Sequence, residues 1–395
     1  MNTLFSIILS FLMLFASLFV PFAKVESPES TGDFEPQLRF IATSDTHIYA
    51  LGDKGCTRIA KMINSAYEIA EKDSSYNRLD AVVFSGDITD DGTFTAFSAF
   101  AATTDKAIKG DTQRLAVVAK SHDGGTYDNA SLDIFTSLTG QETDFHRVIN
   151  GYHFIGISRA DEAGVHYSEA QVQWLDGELA KAVAAAPLQP VFVFQHEHVL
   201  DTVFGSYTYD GWGMDTFKAV LEKYPQVVDF SGHSHYASID PRTVWQGSFT
   251  AVGTGALTGL MGNLNYISGD AYSQFDTSSY NIVEVDADGN IRMRVYDCQY
   301  DMFFENGNYY LKNPADGKNR IYNWGNMYSL DTAPQFPENS DVVIITSKDN
   351  ETKLSFPDAV GYNPAESYNV TVSLNGKIIY EQTVLSDYIV AKERN

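Results

Sequence analysis

The sequence predicts a layered α/β fold followed by a small all-β module. Three observations predict it. Four short apolar runs each stop in Asp or His, helical periodicity fills the intervals between them, and beyond residue 245 the pattern changes to short alternating β segments. Continuous apolar runs of this length are what strands buried on both faces look like, and strands alternating with helices imply stacked layers.

In chain order the first segment, 1–23, is apolar from Leu4 to Phe22 and has no polar face at helical spacing. A core helix is therefore excluded, and the segment reads as a secretory signal or a single membrane anchor of an exported protein. No Lys or Arg precedes the apolar run, and "KVESPESTGDFEP", ending at 36, reads as the linker that follows.

The four runs are "LRFIATSDTH", "LDAVVFSGD", "PVFVFQHEH" and "QVVDFSGHSH". Between them, "GCTRIAKMINSAYEIAEK" repeats apolar residues at helical spacing, and "SEAQVQWLDGELAKAVAAA" opens on a Ser cap. Ligands of such folds gather beyond the carboxyl ends of the strands, which is where each polar terminus falls. In "NIVEVDADGNIRMRVYD", Asp288-Gly289 predicts a hairpin turn. These later strands are expected in a second sheet packed on the first. From Pro334 the alternation is that of a small sandwich.

With 395 residues and 44% hydrophobic content the chain can bury a large core. Its net charge of −24 excludes nucleic acid or an anionic membrane surface as an expected partner. Membrane attachment is left to the N-terminal segment alone. Cys56 and Cys298 form either one disulfide or two buried thiols, and no thiolate metal knuckle.

Asp45 and His47 are two residues apart, as are His196 and His198, and His233 and His235. On an extended strand end such residues point to the same side, so each pair can address one point. Adding Asp87 gives a carboxylate and imidazole set suited to manganese, iron or zinc. A phosphoester calls for such a set: two cations neutralise it, lower the pKa of a bridging water and hold the phosphorus in line, with Asp87 as the candidate shared carboxylate. "VFGSYTYDGWGMD" adds Tyr207, Tyr209 and Trp212, read either as substrate contacts or as loop packing.

The order "SDTH", "SGDITDDG", "KSHD", "QHEH", "GHSH", from Asp45 to His235, resembles the calcineurin-like metallophosphoesterase superfamily. The resemblance implies a four-layer α/β/β/α sandwich of two mixed sheets over 37–333. It implies a first metal on Asp45, His47, Asp87 and His235, a second on Asp87, His196 and His233, and His122 over both, steadying the phosphoryl oxygen or protonating the leaving alkoxide. His198 is a replacement for His196, a substrate contact or an outer histidine. Where the family has Gly-Asn-His-Asp, this chain has Ser121 in place of the Asn ligand, so Ser121 or water completes the coordination of the second metal, which is expected to bind more weakly. Asp90 stands where the purple acid phosphatases carry a metal-binding Tyr, so no coloured iron-tyrosinate site is expected, and Asp90 and Asp91 are read as helix caps or supports of the ligands. The segment 334–395 resembles part of a fibronectin type III module.

The function so implied is an exported phosphoesterase that cleaves a small phosphate monoester or diester with a hydroxide bridging a dinuclear centre, placed in a secreted or cell-surface location. The competing expectation is a surface binding or adhesion protein that keeps the fold and one metal.

Overall fold

The computed structural model describes residues 34–119, 121–124, 130–158, 167–208, 212–261, 277–327, 333–346, 352–361 and 363–390. The expected leader, most of the linker and Tyr209 lie outside them. In chain order the first elements are β1 (Pro36–Thr43), α1 (Lys54–Glu71), β2 (Ala81–Ser85), α2 (Phe94–Ala107), β3 (Gln113–Val117), α3 (Ala130–Thr139), β4 (Phe145–Ile149), β5 (Tyr152–Gly156), α4 (Glu169–Ala185) and β6 (Val191–Phe194). Then come β7 (His198–Val199), β8 (Gly213–Met214), α5 (Lys218–Leu221), β9 (Val227–Ser231), β10 (Val244–Gln246), β11 (Thr250–Gly253), β12 (Ser279–Asp286), β13 (Ile291–Asp297) and β14 (Met302–Leu311).

Two mixed six-stranded sheets result, one ordered β14-β13-β12-β1-β2-β3 and the other β10-β11-β9-β6-β5-β4. The alternation of side chains sorts them into layers. In β1, Leu38, Phe40 and Ala42 enter the core between the sheets, while Ile41 faces the layer of α1, α2 and α3. In β6, Phe192 and Phe194 enter that same core, while Val191 and Val193 face α4 and α5. The fold is therefore the four-layer α/β/β/α sandwich. Phe40 lies 4.9–6.2 Å from the rings of Phe154, Phe192, Phe194 and Phe230. Burying one such ring contributes roughly 1.5 to 3 kcal/mol relative to exposure.

The helices start where the sequence carries caps. The Asp53 side chain accepts from Cys56 N, and Ser168 with Gln171 closes a capping box on α4. Asp288-Gly289 does turn the hairpin between β12 and β13, with Gly289 at φ 78° donating its N–H to the Asp286 carbonyl.

One expectation changes. β12, β13 and β14 do not belong to the second sheet; they extend the first one, β12 pairing antiparallel with β1 from Pro36↔Asp286 to Ala42↔Asn281. β2 pairs with only one edge of β1, and β12 satisfies the backbone groups of the other. Cys56 and Cys298 are both buried free thiols. The C-terminal strands form two separate antiparallel pairs, β15 (Val343–Thr346) with β16 (Thr352–Ser355) and β17 (Ser367–Leu374) with β18 (Lys377–Leu385). Phe336, Phe356 and Tyr368 gather between them, with centroids 5.0–6.3 Å apart, and Ile389 returns to the core between the main sheets. Among the described residues the segment has these four strands, in two separate two-stranded sheets.

Candidate metal centre

The carboxyl ends of β1, β2, β3, β6 and β9 converge, and each delivers side chains to one place. The loops after β1 and β2 are zipped by backbone bonds: Asp45 N donates to Gly86 O at 3.0 Å, Thr46 N to Asp87 O at 2.9 Å and Ile48 N to Ile88 O at 3.0 Å. Asp45, His47, Asp87, His233 and His235 all have φ between 46° and 70°. Non-glycine residues rarely adopt this left-handed conformation, so its recurrence at five chemical residues marks strain held by the surrounding fold. The residues two apart therefore converge by turning in left-handed loops beyond the strands and not by the strand alternation expected from the sequence.

Two glycines make room for this. A Cβ on Gly86 would come within 2.6 Å of His196 Nδ1, and one on Gly232 within 2.5 Å of Asp45 Oδ2. Asp123, fully buried, ties the loops together by accepting from Ile88 N, Thr89 N, Thr89 Oγ1 and Ala119 N at 2.7–3.2 Å.

Ring orientation follows from the atoms that can only accept. His196 Nδ1 donates to Ser85 O at 2.9 Å, His235 Nδ1 to Gly259 O at 3.0 Å and His47 Nδ1 to Asp90 Oδ1 at 3.1 Å. Each of these rings then turns the lone pair of Nε2 inward, the arrangement in which an outer acceptor fixes a metal-binding tautomer. His196 Nε2 faces Asp87 Oδ2 at 3.1 Å; His235 Nε2 faces Asp45 Oδ1 at 3.1 Å and His47 Nε2 at 3.2 Å. Asp45 Oδ1 and His196 Nε2 are buried without a hydrogen bond. Lone pairs brought this close in a dry site fit a cation between them.

Three groups offer ligand atoms all within 4.8 Å of one another: Asp45, His47 and His235; Asp87, His196 and His233; and His47, Asp90 and His122. In the last, His122 Nδ1 lies 3.4 Å from Asp90 Oδ1 and 3.3 Å from Asp90 O, leaving its Nε2 as the ring atom free to exchange a proton. Asp90 thus orients two histidines, while the cap of α2 is Thr93, supported by Asp91.

The charges of the site act on one another. Burial would raise the Asp45 carboxyl, but His235 and His196 outweigh it and hold it at about 2. Without a cation, burial would likewise raise Asp87 and lower His196, but their contact wins in both, pulling Asp87 down and His196 well up, so that a cation binding there takes the place of the His196 Nε2 proton. Burial and then His196 lower His233.

The calcineurin-like phosphoesterase family model matches residues 38–237, more than half of the chain. The chain belongs to the calcineurin-like phosphoesterase family. Members typically bind two metal ions, and the first two groups above are where this calcineurin-like phosphoesterase could hold them. Solved structures similar to it include the anchor protein of the inner membrane complex of Plasmodium, at 16% identity over 70% of this chain and 89% of that one, TM-score 0.46. Others are a purple acid phosphatase from yellow lupin seeds, at 10% identity over 77% and 57%, TM-score 0.46, and the phosphopantetheinyl hydrolase of Mycobacterium tuberculosis, at 14% over 56% and 91%, TM-score 0.33. No curated protein matches the chain.

Other expected site residues of this calcineurin-like phosphoesterase fall differently. Ser121 Oγ donates to Asp87 Oδ1 at 2.7 Å. His198 is neither a surface group nor a substitute ligand: it is buried, its two nitrogens are bonded to Ser231 Oγ and Ser234 Oγ at 2.7 Å, and burial and then His233 push it down to about 3. Tyr207 is buried beside Phe204 and Trp324 and so packs the loop without reaching the opening. Trp212 does approach the ligands, its ring 6.2 Å from that of His233. His146 and His153 bond to each other at 2.8 Å, with Glu178 on His146, outside the three groups.

The sequence reading missed four supports. Asp123 follows His122 directly, Gly86 and Gly232 precede ligand positions, and the Tyr49 hydroxyl bonds Asp90 at the rim. Only the Asp after His122 and the repeated Gly before Asp or His were visible as signals.

Proposed function

We propose that the chain is an exported phosphoesterase that hydrolyses a small phosphate monoester or diester at a dinuclear metal centre. The observation that carries this reading is the set of inward lone pairs on His47, His196 and His235, each aimed by an outer hydrogen bond toward a buried carboxylate. Asp45, His47 and His235 would hold one cation, and Asp87, His196 and His233 the other; manganese, iron or zinc suits these donors. Bound there, two such ions would neutralise the phosphate and supply an activated water.

The protein's own residues would do the rest. His122, partly exposed and hydrogen-bonded through Nδ1 to Asp90, presents Nε2 to the opening and is placed to give a proton to the leaving alkoxide. Asp90 sets that ring and the His47 ring together, so the proton donor and one ligand keep a fixed relation. The apolar N-terminal segment supports export and a secreted or cell-surface location.

One observation favours a second reading. Ser121 spends its hydroxyl proton on Asp87, where the family pattern has an Asn ligand, which would weaken the second cation and leave a binding protein with one metal. Metal content per chain after saturation with manganese, together with turnover of an aryl phosphate, separates the two. Two ions and turnover lost in Asp87→Ala support the hydrolase; one ion and no turnover would establish the second reading in its place.

A further inference from the structure

A row of aromatic rings leads from the candidate ligands to the C-terminal segment. The Trp212 ring lies 6.2 Å from His233 at 68° and 5.7 Å from Tyr236. Tyr236 stacks on Phe204 at 4.3 Å and 17°, and the Arg242 guanidinium lies over Phe204 at 3.9 Å. Asp240 grips Arg242 through Nε at 2.9 and 3.1 Å and Nη2 at 2.5 Å, and Nη2 also pairs with Glu366, just before β17.

The row is graded in exposure. Phe204 and Tyr236 are buried, whereas Trp212 is only partly covered, so Trp212 is the end that a bound molecule can reach. A phosphate held beside His233 puts the first atoms of its organic group within reach of the indole. A flat ring there gains offset or edge contact with little ordering cost, because the indole is already fixed by Tyr236. At the other end, a guanidinium over a buried ring is strongly attracted, and the carboxylates of Asp240 and Glu366 hold it in place.

We propose that Trp212 is a specificity-determining residue that packs against a flat ring, aryl or nucleoside, on the organic side of the phosphoester, and that Glu366 is a positioning residue holding the row through Arg242. The inference rests on the phosphoesterase reading and adds the substrate class to it. It also gives the C-terminal segment a role in the site that neither the family motifs nor the ligand groups assign.

The test is kcat and KM of the manganese-loaded full-length protein on phenyl phosphate and on glycerol phosphate. Trp212→Ala raises KM for phenyl phosphate roughly tenfold, with kcat and the glycerol phosphate KM within about twofold, and Trp212→Phe recovers most of the loss. Glu366→Ala raises the phenyl phosphate KM about threefold, Glu366→Gln recovers part of it, and neither adds to Trp212→Ala, since both act on one ring contact. Equal losses on the two esters, or a fall in kcat alone, would mean that Trp212 merely supports His233 and would overturn the proposal, as would no change.

Should the wild type hydrolyse neither ester, the phosphoesterase reading fails separately. Calorimetry with phenylphosphonate and methylphosphonate then decides the row: tighter binding of phenylphosphonate, abolished by Trp212→Ala, supports it, and equal binding of the two sinks it.

Discussion

His196 Nε2 stands 3.1 Å from Asp87 Oδ2 in the buried floor of the site, and the other nitrogen of the same ring is spent on the Ser85 carbonyl. The ring is held from three sides: by that carbonyl, by Asp87, and by the backbone of Gly86, at φ 83°, whose missing Cβ leaves the space the imidazole fills.

Gly86→Ala therefore tests the geometry without touching a ligand atom. The new methyl would sit 2.6 Å from His196 Nδ1 and 2.7 Å from its Cβ and Cγ, so the ring must move. Cation binding at the Asp87, His196 and His233 group is expected to weaken at least tenfold, with a stability loss of roughly 1 to 3 kcal/mol. Gly110→Ala is the control: φ is 61° but nothing lies within 4 Å, so it should cost about 1 kcal/mol and leave manganese binding unchanged. Calorimetric manganese titration of both variants checks this, and equal affinities would remove the role assigned to Gly86.

The pattern of what the sequence made legible has a physical basis. A ligand must be a particular residue type, so Asp45, His47, Asp87, His196, His233 and His235 stand out in one dimension, and strands buried on both faces announce themselves by unbroken apolar runs. Pairing partners carry no such mark. β12 reads equally well as a strand of either sheet, and only the vacant edge of β1 chooses. His198 looked interchangeable with His196 because both follow the same strand; the choice is made by Ser231 and Ser234, which reach it from β9 and the loop beyond. The left-handed turns at the ligands were hidden for another reason: Gly is the residue that announces such a conformation, whereas Asp and His, though they tolerate it better than most, occupy it in only a small share of their positions.

A second prediction concerns the helix-facing side of the first sheet. Glu284, fully buried, accepts from Arg39 Nε at 2.8 Å, Arg292 Nε at 2.7 Å and Arg294 Nη2 at 3.1 Å. Register explains the meeting: Arg39 and Arg292 are the direct cross-strand neighbours of Glu284 on β1 and β13. Removing the one carboxylate leaves the buried guanidinium of Arg39 with only Asp73 and backbone carbonyls. Glu284→Ala should destabilise by about 3 to 5 kcal/mol, and Glu284→Gln by less. Urea unfolding measures it; a loss under about 1 kcal/mol would show that the cluster contributes little.

The last prediction comes from Asp229, in the middle of β9 on the face toward α4 and α5. Its carboxyl is fully buried, takes one hydrogen bond from Gln195 Nε2 at 2.9 Å, and its Oδ2 has no hydrogen-bond partner. Burial pushes its pKa up to about 7, and the Gln195 bond recovers only part of the difference. A carboxyl raised on folding binds more protons in the folded chain than in the unfolded one. Its contribution is therefore complete below about pH 4, the unfolded value, and is lost as pH rises toward about 7. Across that window the wild type should lose up to about 4 kcal/mol relative to Asp229→Asn, whose amide keeps the shape and carries no charge. Above about pH 7 the Asn variant should be the more stable protein. Urea unfolding of both chains from pH 5 to 8, in the presence of manganese throughout, isolates this group, because every other titration is common to the two. A stability difference that stays constant with pH would mean that Asp229 is already ionised in the folded protein at pH 5, with its second oxygen solvated by water between α4 and the sheet.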